Sequence, residues 1–251
     1  MAKETTYNPV QDGIEKTAQS VRYTEVKPPS DLSGLVHCFW ELKTVATLPE
    51  DFHLHAVPDA CVNIMFNEID TSIAGITALR TTYEVLNLGK AFHYVGIQLL
   101  PGVWQGNRDE IADQYVGTSY AGDLPLIETN NHLAGLDFLA KQPIMAALVR
   151  QLANEKIVVT NPVTANILTH LDDIHTVADM AAITGVSPRQ LQRTLKQTTG
   201  FSPHDFLKVL RLQQSFEQGY QMLYTDQSHF IRSFREITGY TPTHYFSKFD
   251  V

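Results

Sequence analysis

The chain lacks several features that would narrow its role at once. Cysteine is scarce: Cys38 and Cys61 are the only two among 251 residues. They stand apart and form no CxxC pair, which excludes a disulfide framework or a cysteine metal cluster and leaves two free thiols. No apolar run approaches the roughly 18–20 residues that cross a bilayer as a helix, so no membrane partner is expected. Residues 1–20 are polar and carry no apolar stretch of the secretory kind, so a cytoplasmic location is expected. Motifs of catalysis are missing too: there is no GxSxG, no Walker A and no GxGxxG. Ser, His and Asp are plentiful but nothing groups them into a triad. An enzyme is therefore not expected, and no cofactor is implied. Positive charge is also in deficit, with 19 Lys and Arg against 27 Asp and Glu, a net of −8. As a whole the chain repels a polyanion.

What is present is enough for a packed core. Hydrophobic residues make up 43% and charged ones 18%, and the length fits one large domain or two small ones. The negative charge sits entirely in residues 1–159, which hold 11 basic and 19 acidic residues. Residues 160–251 hold 8 of each, and within 176–215 five basic residues face two acidic ones. One C-terminal segment can thus approach a polyanion although the chain repels it.

The texture also divides. Residues 21–102 carry short runs of β-branched, aromatic and leucine residues at 35–42 (LVHCFWEL), 61–66 (CVNIMF), 83–88 (YEVLNL) and 94–100 (YVGIQLL). Pro, Gly, Asn and Asp punctuate them, which predicts short strands in a sandwich or barrel. Residues 124–152 are rich in Leu and Ala at helical spacing, with Pro143 expected in the first turn of a new helix. The expected organisation is a flexible tail over 1–20, a β-rich domain over 21–120, a helical linker and dimerisation segment over 121–159, and a helical domain over 160–251.

The sharpest signal lies in 176–200. Val177, Met180, Ala181 and Thr184 fall on one helical stripe, and Gly185 suits the left-handed turn that ends a helix. Ser187 is an N-cap candidate and Pro188 takes the first helical position. Leu191 and Leu195 then point one way, and Arg189, Gln192, Arg193 and Lys196 another. Arg forks onto guanine and Gln onto adenine in the major groove, and Lys reaches phosphate. A plain helical hairpin with a solvated basic face has the same charge, but the joint placement of Ala, Gly, Ser-Pro and the paired leucines favours a DNA-binding hairpin.

These residues, with Gly200-Phe201-Ser202-Pro203, Phe206-Leu207 and Arg211-Leu212, resemble the AraC-type transcription regulators. So do Asp226-Gln227-Ser228-His229-Phe230, Arg232-x-Phe234 and Gly239-Tyr240-Thr241-Pro242-x2-Tyr245. The resemblance implies an all-α domain of two helix-turn-helix units joined by a long helix over about 204–218. It assigns base contacts to Arg189, Gln192 and Arg193 in the first unit and to Gln227, Ser228, Ile231 and Arg232 in the second. Pro58 to Phe66, Gly96 to Gly102 and the upstream Pro29-x2-Leu32-x2-Leu35-Val36-x3-Trp40 resemble the β-rich sensor domain found ahead of many such units. That implies an α+β chain with a cupin-like barrel, a small-molecule effector and a homodimer. Trp40, Phe66, Phe92 and Trp104 are the expected pocket residues, though ordinary core aromatics would look the same.

Two departures carry their own expectations. Only about 15 positions separate Arg211 from Asp226, too few for the end of a linker helix plus a supporting helix and turn. Leu223 stands where the family has glycine, and Gly219 lies earlier. Residues 214–224 therefore read as a deletion that leaves Phe230, Phe234 and Tyr245 short of apolar partners, with DNA binding weakened to one unit or lost. The alternative is that the linker helix bends at Gly219 and 221–224 form a shortened brace. Separately, His53-x-His55-x3-Asp59, with His93, has the spacing of a barrel metal site, but the usual glutamate is missing and Pro58-Asp59 also suits a turn. No metal is assigned, and a cupin-like metalloenzyme stays the minor alternative.

Overall fold

Period-two alternation sorts the β-rich half into two faces. In a computed structural model, which describes residues 7–77, 79–112, 116–218 and 227–250, the strands are β1 (Ile14–Glu15), β2 (Val21–Val26), β3 (Val36–Thr44), β4 (Phe52–Ala56), β5 (Asn63–Asn67), β6 (Ala74–Thr77), β7 (Glu84–Gly89), β8 (His93–Leu99) and β9 (Ile111–Ala112). Six of them form one sheet in the order β2-β3-β8-β5-β6-β9, while β4 and β7 pair separately. Across the large sheet, Phe39, Ile97, Ile64 and Ile76 lie in register on one face. On the opposite face Leu42, Met65 and Tyr94 meet Leu54 and Leu88 of the small sheet. The two sheets thus close on a second core, the barrel-like arrangement that the resemblance implies.

The first face is covered by α1 (Leu126–Leu133) and α2 (Phe138–Asn154), whose Leu126, Leu133, Met145, Val149 and Leu152 are buried against it. Helix α2 starts earlier than expected. The Asp137 side chain accepts a hydrogen bond from Ala140 N and caps it, so Pro143 lies inside the helix rather than in its first turn. Pro143 is exposed, and the bond it cannot donate is lost on the water-facing side. Two buried polar links fix α1 and α2 to the sheet. Asn130 donates to the carbonyls of Asn67, Thr71 and Ile73. Lys141 Nζ lies 2.8 Å from Glu68 Oε2, with both side chains almost fully buried.

The remaining helices are α3 (Pro162–Thr169), α4 (Val177–Thr184), α5 (Pro188–Thr198), α6 (Pro203–Gln218), α7 (Gln227–Thr238) and α8 (Pro242–Lys248), followed by β10 (Phe249–Asp250). Strand β10 pairs with β1, setting Ile14 opposite Asp250 and Glu15 opposite Phe249. This corrects the expected tail over 1–20 in its described part. Tyr7 is buried, Gly13 and His55 exchange backbone hydrogen bonds, and Lys16 N donates to Lys248 O. The segment is held between the two halves because it supplies backbone partners to both.

Replacing Lys141 with Met leaves Glu68 buried without its counter-charge. The expected loss is about 3–5 kcal/mol, read as a lowered urea midpoint at unchanged slope. A loss under ~1 kcal/mol would show that the pair is not what anchors α2.

Candidate functional site

The first hairpin is built from local rules. Thr176 and Asp179 form a reciprocal capping box at the start of α4, and Gly185 ends it in the left-handed conformation, with φ 67°. Ser187 and Gln190 form a second capping box, and Pro188 opens α5. Leu191 and Leu195 are fully buried against Met180, Ala181, Phe206 and Leu210. With those two leucines inward, helical geometry sends Arg189, Gln192, Arg193 and Lys196 outward, and all four are exposed. Arg189, Gln192 and Arg193 make no hydrogen bond or ion pair among the described residues. Lys196 donates to the carbonyl of Gly200, which holds its ammonium at the C-terminal end of the helix.

Helix α6 serves two cores. Its first half, with Phe206, Leu207 and Leu210, closes the first hairpin, and Leu212 and Phe216 of its second half pack with α7 and α8. The expected deletion at 214–224 falls partly on residues 219–226, which lie outside the described residues; 214–218 continue α6. The expectation that Phe230, Phe234 and Tyr245 lack apolar partners is overturned. Their relative exposures are 2%, 1% and 0%. Their partners come from α6 and α8 and also from the β-rich domain, which contributes Val57 to the same cluster. Truncation of rings buried like these costs roughly 3–5 kcal/mol each, so the cluster is a real brace.

His55, on the outer face of β4, completes this seam. Its ring stacks on Tyr83 at 4.8 Å and on Phe249 at 4.9 Å, and meets Tyr240 and Tyr245 edge-on. Burial holds its pKa below the ordinary imidazole value, so it packs as a neutral ring. Tyr83 N donates to Ile237 O at the end of α7. A Cβ on Gly13 would stand 2.7 Å from the Tyr245 hydroxyl, so the close approach there requires glycine. On the far side of α6, Gln213 accepts from Val10 N and donates to Pro58 O.

With α7 held this way, Ser228, Ile231 and Arg232 are exposed on its outer face, and Arg235 lies beside them. Gln227 begins the helix, but its side chain lies outside the described residues. Sequence reasoning missed Arg235. Its signal was the i, i+3 spacing from Arg232.

Behind the seam, inside the β-rich domain, lies a cavity of about 110 Å³. Its walls include Tyr23, Trp40, Leu42, Leu54, Met65, Leu88 and Tyr94, and its polar end holds Asp12, Asp59, Arg80 and Gln98. Of the four expected pocket residues only Trp40 lines it, with its indole Nε1 donating to Asn63. Phe66 and Trp104 pack on the opposite face of the sheet with α1 and α2, and Phe92 is buried against Phe52 at the barrel end. Asp59 accepts from Cys61 N and Gln98 Nε2, and Asp12 Oδ1 accepts from Val57 N. Burial, reinforced by their mutual repulsion at Asp12, raises Asp12 to about 7, and burial raises Asp59 to about 6. Arg80 lowers both, but it is also paired with Glu84 at 2.5 Å.

The alternative metal site is not assembled. His53 is exposed, His55 sits in the aromatic seam, Asp59 faces the cavity and His93 bonds Glu41. Among the described residues no three His, Cys, Asp or Glu side chains converge on one point.

Asp12 generates a test of sign. Below about pH 4 the carboxyl is neutral in both folded and unfolded chains. Between about 4 and 7 it ionises only when unfolded, so stability falls as pH rises through that window. Asp12→Asn keeps the acceptor for Val57 and removes this cost. The variant is expected to gain about 2–4 kcal/mol on wild type between pH 4 and 7.5, read by urea unfolding at both pH values. A gap that does not change with pH would refute the buried-acid assignment.

Comparison with known proteins gives two family matches. Residues 180–248 match a model described as a helix-turn-helix domain, and residues 24–116 match one described as a domain of unknown function. A search of curated proteins finds no match. Among solved structures, ToxT from Vibrio cholerae O395 is 10% identical, with 91% of this chain and 98% of that chain covered and a TM-score of 0.41. An unsaturated-fatty-acid-bound ToxT from Vibrio cholerae strain SCE256 is 9% identical, with 96% and 97% covered and a TM-score of 0.41. The family model spans most of α4 and all of α5, α6, α7 and α8, so the C-terminal region of this chain is a helix-turn-helix domain behind a β-rich N-terminal domain, as its resemblance to the AraC-type regulators implies.

Proposed function

We propose that the chain is a sequence-specific transcriptional regulator that reads duplex DNA in the major groove. The observation that carries this reading is α5: a doubly capped helix pinned by Leu191 and Leu195, with Arg189, Gln192 and Arg193 exposed and unengaged among the described residues. Those are the side-chain types that fork onto guanine and adenine edges. Lys196, at the far end of the face, is a phosphate contact. Helix α7 is the second reading helix, through Gln227, Ser228, Ile231 and Arg232. The buried state of Phe230, Phe234 and Tyr245 removes the reason to expect it unsupported.

The regulator is ligand-responsive in this reading. The cavity wall formed by Val10–Asp12 and Val57–Asp59 is also the strip that grips Gln213 of α6 and packs beneath α7. A molecule in the cavity can therefore favour one arrangement of α7 over another by touching residues that hold it. In this reading the protein acts in the cytoplasm and has no catalytic role. Leu136, just before α2, and Leu139, in its first turn, are exposed and support pairing of two copies.

Duplex binding is expected to fall steeply with salt, log K against log [salt] being linear. Arg193→Ala and Arg232→Ala should each cost about 1–3 kcal/mol at a specific site. An effect of Arg193→Ala with none from Arg232→Ala would mean that only the first unit reads DNA. Wild type that binds no duplex at low salt would end the proposal.

A further inference from the structure

Taking the cavity as the effector site, as proposed above, its lining also says what kind of molecule belongs there. The space is enclosed mainly by apolar and aromatic groups, with Trp40, Tyr23 and Tyr94 among them. Its polar end holds more acid than base. Asp12 and Asp59 both line it, and the only cation among the lining residues is Arg80, which is engaged by Glu84 outside the cavity. The carboxylate of Asp59 is occupied on both oxygens, by Cys61 N and Gln98 Nε2. Asp12 is different. Its Oδ1 takes the Val57 amide, and its Oδ2 makes no hydrogen bond among the described residues. One carboxylate oxygen on the wall of an aromatic-lined cavity is thus left for something else.

We infer that the cavity binds a compact organic cation, an ammonium or amidinium head on an apolar body, with the head on Asp12 and the body against Trp40, Tyr23 and Tyr94. A carboxylate ligand would meet two acids and an arginine already engaged, whereas a cation gives Asp12 the counter-charge it lacks. Aromatic faces add attraction for a desolvated cation. At about 110 Å³ the space is smaller than the apolar cavity of about 150 Å³ that takes up benzene, so the body is no larger than one six-membered ring.

The same placement gives the site a route outward. The oxygen next to the one that would take the cation holds the amide of Val57, and the Val57 side chain lies in the cluster that braces α7.

The test uses the full chain with benzylamine, benzyl alcohol and benzoate, three probes of nearly one shape that differ in charge. Binding is read by calorimetry and by the rise in Tm with concentration. Benzylamine is expected to bind at least about tenfold more tightly than either of the others, the scale of one charge-assisted hydrogen bond. Asp12→Asn should abolish that preference while leaving the protein folded. Tighter binding of benzoate or benzyl alcohol, or benzylamine binding unchanged in Asp12→Asn, overturns the cation assignment. Binding of none of the three overturns it as well. The underlying reading is tested apart from it by Leu86→Phe, which fills the cavity. If that variant leaves DNA affinity unchanged, the cavity is not the effector site whatever it binds.

Discussion

The apolar seam between β4 and helices α7 and α8 is the contact on which the rest of the molecule depends. A helix-turn-helix unit is too small to bury its own apolar face alone and relies on a supporting helix packed behind the reading helix. Among the described residues, part of that support comes from the β-rich domain, through Val57 and the His55 ring, and β10 is tied to β1 at the end of the same surface. The β-rich domain is thus part of the second unit's core. Its loss would uncover the side of the cluster that packs on Val57 and His55.

That arrangement explains why a cavity lies where it does. The strip of chain from Val10 to Asp12 has to run between the barrel and α6 to reach β1, and its backbone is shared between the two. Residues on its inner side face the barrel interior. Burying Asp12 and Asp59 there works against stability, because each is held in a setting that resists its charge. A fold selected for stability alone would fill that space with leucine. Two acids kept at a cost on the wall next to the seam fit a site whose energy is released when something binds.

Much of this was legible in the sequence where the signals are local. Gly185, Ser187 and Pro188 act on their immediate neighbours, and the hairpin they predict has the same limits in the structure. Strands β3, β5, β7 and β8 follow their apolar runs. Strand β4 hid because its outward positions are His53 and His55, which look like metal ligands or polar surface until α8 covers one of them. The seam joins residues nearly two hundred positions apart, and no local pattern reports such a contact. The pocket aromatics could have been sorted better. Phe66 has the parity of Ile64, opposite to Met65, so it belongs to the face under α1 and α2. Asp12 carried no signal at all, because its role arises from a strip that looks like a polar tail.

The division of charge now acquires a structural meaning. Residues 1–159 carry the whole net charge of −8, and the seam packs that half against α6, α7 and α8. At about 0.1 M salt, charges are screened within roughly 10 Å, so DNA senses mainly the face it touches. In the proposed reading that contact is made by Arg189, Arg193 and Lys196 on α5 and by Arg232 and Arg235 on α7, all of them exposed. In that reading the net negative charge of residues 1–159 disfavours approach from the β-rich domain, which orients the encounter. The same acidity limits indiscriminate binding, since few lysines and arginines are available to displace counterions along the backbone. In the proposed reading, affinity then rests more heavily on base contacts from α5 and α7. An effector that loosened the α7 end of the seam would remove half of those contacts while the first hairpin stayed intact. A switch between two-helix and one-helix reading needs only the differential contact energy of one small ligand.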